Sequence, residues 1–153
     1  MKLSVWIFWL VVTLSALTYG CSGSEMKKPN EGLDHLTSCP DRPNCVSSEA
    51  QDTRHAIAPF RIKGQIAATW DAVRNVVGSL PRTKVVNATD RYLHAECKSL
   101  VFRFIDDLEL RLNPETGTIS IRSASRVGYF DLGVNRRRVE ALRRTLKNES
   151  LIY

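Results

Sequence analysis

The chain has 153 residues, of which 43% are hydrophobic and 25% are charged, and its formal net charge is +6. This length supports one globular domain with its own hydrophobic core and leaves no obvious room for a second. The sequence lacks a motif in which basic and aromatic residues alternate, so we expect no nucleic-acid partner.

The first twenty residues resemble an export signal. The apolar run VWIFWLVVTLSAL, close behind Lys2, has the length of a signal-peptide core and is short for a bilayer span. Gly20 precedes Cys21 as in a bacterial lipobox, whose cysteine receives lipid, although Thr18 stands where leucine is usual. We predict a lipoprotein-type signal peptide over residues 1–20 and lipidation of Cys21. A plain cleaved signal and an uncleaved anchor helix are the alternatives.

A lipoprotein signal, a plain cleaved signal and an uncleaved anchor helix would each place the rest of the chain outside the cytoplasm. We predict the bacterial cell envelope, on the periplasmic side of a membrane, with the lipid anchor as the contact to that membrane. Residues 21–34 are polar, contain Gly23, Pro29 and Gly32, and show no periodicity, which is typical of a flexible tether. Residues 35–153 are predicted to form a single domain.

A pair of cysteines stands near the start of this domain. Cys39 and Cys45 enclose two prolines, and in an oxidising compartment such a pair most simply forms a disulfide. The alternative is a zinc site in which His35 and His55 join the two cysteines as ligands. The spacing of these four residues matches no common zinc finger, so we predict the disulfide and neither a metal nor a cofactor.

Hydrophobic periodicity next predicts a strand and a helix. Alternating residues indicate a half-buried strand over residues 60–66, interrupted by Gly64. A helix follows, with one face packed on the sheet, and Pro81 prevents its continuation. The apolar stripe of this helix consists of Trp70, Val73, Val77 and Leu80.

Short strands and a final helix complete the domain. The strands are predicted over residues 84–87, 92–97, 100–105, 108–112 and 118–123. Asp106 and Asp107 separate two of them, which is typical of a tight hairpin. The last helix is predicted from Asn135, as its N-cap, to Leu146. The expected fold class is α+β: a single curved antiparallel sheet of about five strands packed on two helices, in the order β-α-β4-α, similar to the helix-grip arrangement.

Four neighbouring polar residues are candidates for catalysis. His94, Glu96, Asp106 and Asp107 offer acid–base or metal-binding groups, and a hydrolase-like or metal-dependent enzyme needs them in one cleft. Cys97 lies on the apolar side of its strand, so we interpret it as a small buried hydrophobic residue rather than a nucleophile.

The stretch RSASRVGYFDLGVNRRRVEALRR holds seven arginines and two acids. Arg126, Arg136 and Arg137 lie close to the predicted helix start, where free backbone amides and guanidinium groups together favour a phosphate or carboxylate. The other interpretation, which we favour for this stretch, is a framework of ion pairs that joins the helix to the sheet. The acids of that framework are Asp106, Asp107, Glu109 and Asp131. We interpret Arg138, Arg143 and Arg144 as the solvated face of the helix.

Four blocks carry a resemblance to a known family. They are CPDRPNCVSS (39–48), His55-x-Ile57-x-Pro59, TDRYLHAECKSLVFRFIDDLEL (89–110) and RSASRVGYFDLGVNRRRVEAL (122–142). Together they resemble the domain of unknown function family 1499 over about residues 36–147. The resemblance implies an exported or membrane-associated protein, often a bacterial lipoprotein, and implies no activity.

The resemblance also marks the positions where a site is expected. They are Cys39, Asn44, Cys45, His94, Glu96, Asp106, Asp107, Glu109, Arg122, Ser123, Ser125, Arg126, Asp131, Asn135 and Arg137. The favoured function is a membrane-tethered envelope domain that binds a small anionic or amphiphilic ligand or a partner protein. The alternatives are the enzyme described above and a structural stabiliser of a membrane complex.

Overall fold

The computed structural model describes residues 35–100 and 103–153, so the predicted signal peptide, Cys21 and tether lie outside the described residues. Within these residues, neither helix is long and apolar enough to cross a membrane. The elements in chain order are β1 (Cys45–Ser47), β2 (Phe60–Arg61), α1 (Ile66–Ser79), β3 (Thr83–Ala88), β4 (Tyr92–Lys98), β5 (Ile105–Asn113), β6 (Thr118–Ser125) and α2 (Val134–Asn148).

The strands form one curved, open antiparallel sheet of six strands. Five of them follow the order β1-β6-β5-β4-β3, and β2 pairs with the start of β6, while β1 pairs with its end. The predicted α+β class, with one such sheet and two helices, is confirmed. The prediction missed β1, because a strand of three residues is too short to show an alternating pattern.

The hydrophobic core lies between the two helices and one face of the sheet, which we call the inner face. Three of the four predicted stripe residues of α1, Trp70, Val73 and Val77, are buried there, since residues three or four apart share one side of a helix. The buried apolar residues that β4, β5 and β6 contribute to the inner face include Leu93, Ala95, Cys97, Leu108, Leu110, Leu112, Ile119 and Ile121. This burial determines which side chains of each strand point to the opposite, outer face.

The predicted hairpin turn at Asp106 and Asp107 is wrong. Both aspartates lie within β5, which begins at Ile105, and the described residues Leu100, Arg103 and Phe104 of the predicted strand 100–105 are not in a strand. The connection from β4 instead follows Lys98. Adjacent aspartates are tolerated in a strand because their side chains point to opposite faces, and each of these two meets an arginine on its own face.

Both helix starts differ from the prediction. Ile66, predicted to end the first strand, is the first residue of α1, because the chain turns at Gly64, whose φ is +97°. Asn135 is a buried helical residue, and the N-cap of α2 is Gly133. Asp131 caps this helix, since its carboxylate accepts hydrogen bonds of 2.8 Å from the N–H groups of Gly133 and Asn135.

Candidate functional site

The strand register divides the predicted polar cluster between the two faces of the sheet. Asp106 pairs with Ser125 and shares the inner face with it, whereas Asp107 pairs with Glu96 on the outer face. The inner group contains Asp106, Ser123 and Ser125. The two serines hydrogen-bond the side chain of Asn135 in the first turn of α2, and that side chain also donates to Asp131. The outer group contains His94, Glu96, Asp107, Glu109, Arg122 and Arg126.

On the inner face, a buried ion pair joins α2 to the sheet. Nη2 of Arg138 lies 2.5 Å from Oδ2 of Asp106, and Nη1 donates to Ser123 and to Asn135. The side chains of the two charged partners are 15% and 5% exposed. Asn135 also donates to the backbone carbonyl of Asn44, which lies beside β1. This network fastens the first turn of α2 to β1, β5 and β6.

The prediction that Arg138 and Arg143 form a solvated helix face is therefore wrong. Arg138 lies one turn after Asn135 and faces the sheet with it. Arg143 donates to the carbonyls of Ala58 and Pro59, and its guanidinium lies 4.6 Å from the ring centre of Phe60. Arg144 is exposed, as predicted.

On the outer face, Arg126 binds two carboxylates. Its Nη2 atom lies 2.7 Å from Oε1 of Glu96 and 2.7 Å from Oδ1 of Asp107. Nε2 of His94 lies 2.7 Å from the same Oδ1 atom. Burial by itself raises the pKa of Asp107, but the hydrogen bonds from His94 and Arg126 outweigh it and lower that pKa to about 2. The hydrogen bond to Asp107 in turn raises the pKa of Arg126. Asp107 thus stays ionised and offsets the charge of Arg126.

A second ion pair lies beside this group. The carboxylate of Glu109 accepts hydrogen bonds from the Tyr92 hydroxyl at 2.7 Å and from Nη1 of Arg122 at 2.6 Å. Nδ1 of His94 and Nε of Arg122 are buried and have no hydrogen-bond partner among the described residues. Three carboxylates on this face repel a further anion, so the outer group is poorly suited to an anionic ligand.

The four catalytic candidates do not converge. His94, Glu96 and Asp107 meet on the outer face, but Asp106 lies on the inner face, bound to Arg138. The single cleft that the enzyme alternative needs is not formed. In residues 35–100 and 103–153, no three histidine, cysteine, aspartate or glutamate residues are grouped to hold a metal ion.

The cysteines fall into two classes. Cys39 and Cys45 form the predicted disulfide, with their Cα atoms 5.7 Å apart. That bond removes both sulfur ligands of the zinc alternative, and His55 instead hydrogen-bonds Asp52 through Nδ1 at 2.8 Å. Cys97 is buried, as predicted, and burial raises the pKa of its thiol, which keeps it a poor nucleophile.

An open cleft of about 350 Å³ lies between the disulfide-linked segment, the connection after β6 and the start of α2. Its apolar walls are formed by Pro43, Val46, Phe130 and Leu132, and guanidinium groups of Arg54 and Arg136 flank them. Arg54 is ion-paired with Asp41 at 2.5 Å. Arg136 is instead held by backbone carbonyls, those of Ala56 at 2.9 Å and Arg54 at 3.0 Å.

Three consecutive arginines at the start of α2 therefore differ in how their charge is balanced. Within the part of the chain that the structure describes, Arg138 has a carboxylate partner, whereas Arg136 and Arg137 have none. Arg137 is exposed and donates to the carbonyl of Leu132 at 2.8 Å. Backbone carbonyls fix the position of a guanidinium without neutralising it.

The sequence interpretation missed the apolar part of this site. Phe130 and Leu132 are 60% and 72% exposed, although both are large hydrophobic residues. The signal was present in the sequence, because these residues lie between Gly128 and Gly133 in a segment with neither helical nor strand periodicity. Exposed apolar residues in such a connection mark an interaction surface.

Comparison with known proteins identifies a family but assigns no activity to it. A family model described as "Protein of unknown function (DUF1499)" matches residues 35–146, which is most of the chain. No curated protein and no solved structure matches the chain.

Proposed function

We propose a function for this chain from the premise that it belongs to the DUF1499 family, whose description assigns no activity. The protein is an exported domain of the bacterial envelope, tethered to a membrane through a lipid on Cys21, and it binds a small anionic amphiphile. The disulfide between Cys39 and Cys45 supports export, because such bonds persist in oxidising compartments. The apolar run before Cys21 and the polar segment 21–34 support an anchor followed by a tether.

The observation that carries the binding proposal is an apolar cleft beside Arg136, which forms no ion pair with any acid that the structure describes. The cleft volume of about 350 Å³ is close to the lower end of the range for small-molecule sites, roughly 300–1,000 Å³. Phe130 and Leu132 offer an apolar wall to a hydrocarbon chain. Arg136 offers a guanidinium to a carboxylate or phosphate group.

The start of α2 also borders the cleft. Gly133, its N-cap, lines the cleft, and so does Asp131, whose carboxylate accepts hydrogen bonds from the N–H groups of Gly133 and Asn135. Asp131 therefore offsets the positive end of the helix dipole, and the attraction for an anion comes from the arginines of the cleft. Arg54 already has Asp41 as a partner, so Arg136 is the residue that we expect to meet the anion.

The proposal is tested with the protein purified in a neutral detergent and titrated by calorimetry with octyl phosphate. Octyl glucoside, which has the same chain and no charge, is the control ligand. We expect octyl phosphate to bind more tightly, and its affinity to fall as salt screens the charges. Arg136→Gln is expected to weaken octyl phosphate binding about tenfold, because a hydrogen bond to a charged group contributes roughly 1.5–3 kcal/mol.

Arg144→Gln is the matched control variant. It removes the same charge from the exposed side of α2. Urea unfolding of both variants accompanies the titrations, because Arg136 also holds the backbone at Arg54 and Ala56. The proposal fails if the two ligands bind equally well, or if both variants lose octyl phosphate affinity to the same extent.

A further inference from the structure

We propose that one end of the sheet docks onto an anionic phospholipid bilayer. Two described stretches of the chain leave the sheet side by side at this end, since the N–H group of Arg126 donates to the carbonyl of Ile105. They are residues 99–100 and 103–104, between β4 and β5, and residues 126–133, between β6 and α2. We call this end the loop end. Its exposed apolar side chains are Leu100, Phe104, Val127, Tyr129, Phe130 and Leu132.

Exposed apolar side chains are concentrated at the loop end. Nine large hydrophobic residues are exposed in the described part of the chain, and six of them belong to this end. Contact of such a patch with water is unfavourable in proportion to its area, so the patch marks a surface that is covered in the working protein. Tyr129 and Phe130 provide the aromatic rings that are enriched at the boundary between lipid and water.

The charge of the loop end selects an anionic partner. Lys98, Arg103 and Arg137 are exposed and form no ion pair with any carboxylate in the described ranges. Arg126, at the same end, is balanced by Glu96 and Asp107 and adds little. Exposed apolar side chains surrounded by basic residues without ion-pair partners are typical of segments that lie in the interface of an anionic bilayer.

The tether favours a bilayer over a soluble partner, and this step rests on the proposed function. A flexible chain of fourteen residues, the number in the proposed tether 21–34, would have a root-mean-square length of about 20 Å. The described chain begins at His35, four residues before Cys39, which is bonded to Cys45. The N–H group of Leu36 donates to the carboxylate of Glu49, and the neighbouring Ser48 pairs with Ile121, four residues before the end of β6 at Ser125. An anchor on the tether would therefore keep the loop end within reach of the membrane at a raised effective concentration.

The experiment uses the full chain in vesicles of equal parts phosphatidylglycerol and phosphatidylcholine, with pure phosphatidylcholine vesicles as the comparison. Flotation with the vesicles first reports whether the chain is anchored. Amide hydrogen exchange then reports whether the loop end is docked. We expect the amides of residues 127–132 to exchange about tenfold more slowly on the anionic vesicles. Residues 114–117, the turn at the opposite end of β5 and β6, are expected to exchange equally on both.

Substitutions separate docking from binding in the cleft. In the double variant Leu100→Ser, Tyr129→Ser, residues 127–132 are expected to exchange equally fast on both kinds of vesicle. Octyl phosphate binding is expected to be retained, because neither residue lines the cleft. Tyr153→Ser is the matched control, since Tyr153 is 66% exposed against 67% for Tyr129 and contacts Arg61, at the other end of β6.

Three results overturn the docking proposal. The first is equal exchange of residues 127–132 on both kinds of vesicle, although the chain floats with them. The second is slower exchange that persists in the double variant. The third is slower exchange that appears only after an envelope protein fraction is added, which identifies a protein as the occupant. If the unmodified chain does not bind octyl phosphate but still shows slower exchange on anionic vesicles, the cleft proposal is contradicted and the docking proposal stands.

Discussion

The inner-face network and the loop end use arginine in opposite ways, although the start of α2 belongs to both. In the network, Arg138 is largely buried and ion-paired with Asp106. At the loop end, Arg137 is exposed and bonded to the carbonyl of Leu132. A helix turns by about 100° per residue, so neighbouring arginines meet different surroundings. Charge that is neutralised inside the protein stabilises the fold, whereas unbalanced charge remains available to a ligand or a membrane.

The largest expected effect comes from removing Arg138. Arg138→Met leaves the carboxylate of Asp106 buried without its partner, so we expect the free energy of unfolding to fall by about 3–5 kcal/mol in urea titrations. Adding Asp106→Leu is expected to recover much of this loss, because no buried charge then remains. Arg144→Met, on the exposed side of the same helix, is expected to change stability by less than about 0.5 kcal/mol. Similar losses in the two arginine variants would show that Arg138 is not a buried partner.

Removal of the disulfide is expected to have the next largest effect. The double variant Cys39→Ser, Cys45→Ser opens a short loop, since the two residues are six positions apart, and we expect a loss of about 2 kcal/mol. Reduction of the unmodified protein is expected to produce the same loss. The double variant serves as its own control, because a reducing agent is expected to leave its unfolding curve unchanged.

Acidification is expected to lower the free energy of unfolding by less than removal of the disulfide does, because it weakens the ion pairs of the outer face. The pKa of Asp107 is about 2 in the folded protein and near 3.8 without the fold, so its contribution is present above about pH 4 and is lost as the pH falls towards 2. Allowing for partial exposure, we expect a contribution of roughly 1–2 kcal/mol. The difference in unfolding free energy between the wild type and Asp107→Asn should therefore shrink over this range.

The control for this pH series is Asp90→Asn, because Asp90 is exposed and forms no ion pair within the described residues. Its difference from the wild type is expected to stay nearly constant with pH. A constant difference for Asp107→Asn as well would contradict the ion-paired arrangement of Asp107 with Arg126 and His94.

The smallest effect on folding is expected at the loop end itself. Arg137→Gln removes an exposed charge, so we expect a stability change below about 0.5 kcal/mol. Docking on anionic vesicles is expected to weaken about fivefold, because a basic residue near such a surface contributes about 1 kcal/mol. Hydrogen exchange of residues 127–132 measures this change. A large loss of stability with unchanged docking would show that Arg137 stabilises the fold and takes no part in docking.

Local patterns were sufficient to predict the elements that bury one face. The alternation in Leu108, Leu110 and Leu112 and the helical spacing of Trp70 and Val73 match the buried positions of the structure. Such patterns are readable because burial on one face imposes a period on the chain itself. Where polar residues interrupt the pattern the prediction failed, as at the adjacent aspartates of β5, which pair with arginines far along the chain.

The α+β class, the disulfide and the family could be predicted from the chain alone, because each depends on the order and spacing of neighbouring residues. Which arginines are neutralised depends on the tertiary structure. Asp106 and Arg138 are 32 positions apart, and the backbone of Asn44 is 91 positions from the Asn135 side chain that it binds. Those contacts depend on the strand register and on the rotation of α2 against the sheet, which residue types alone do not specify. The same rotation leaves Arg136 and Arg137 without an acidic partner among the described residues and places them beside exposed apolar side chains.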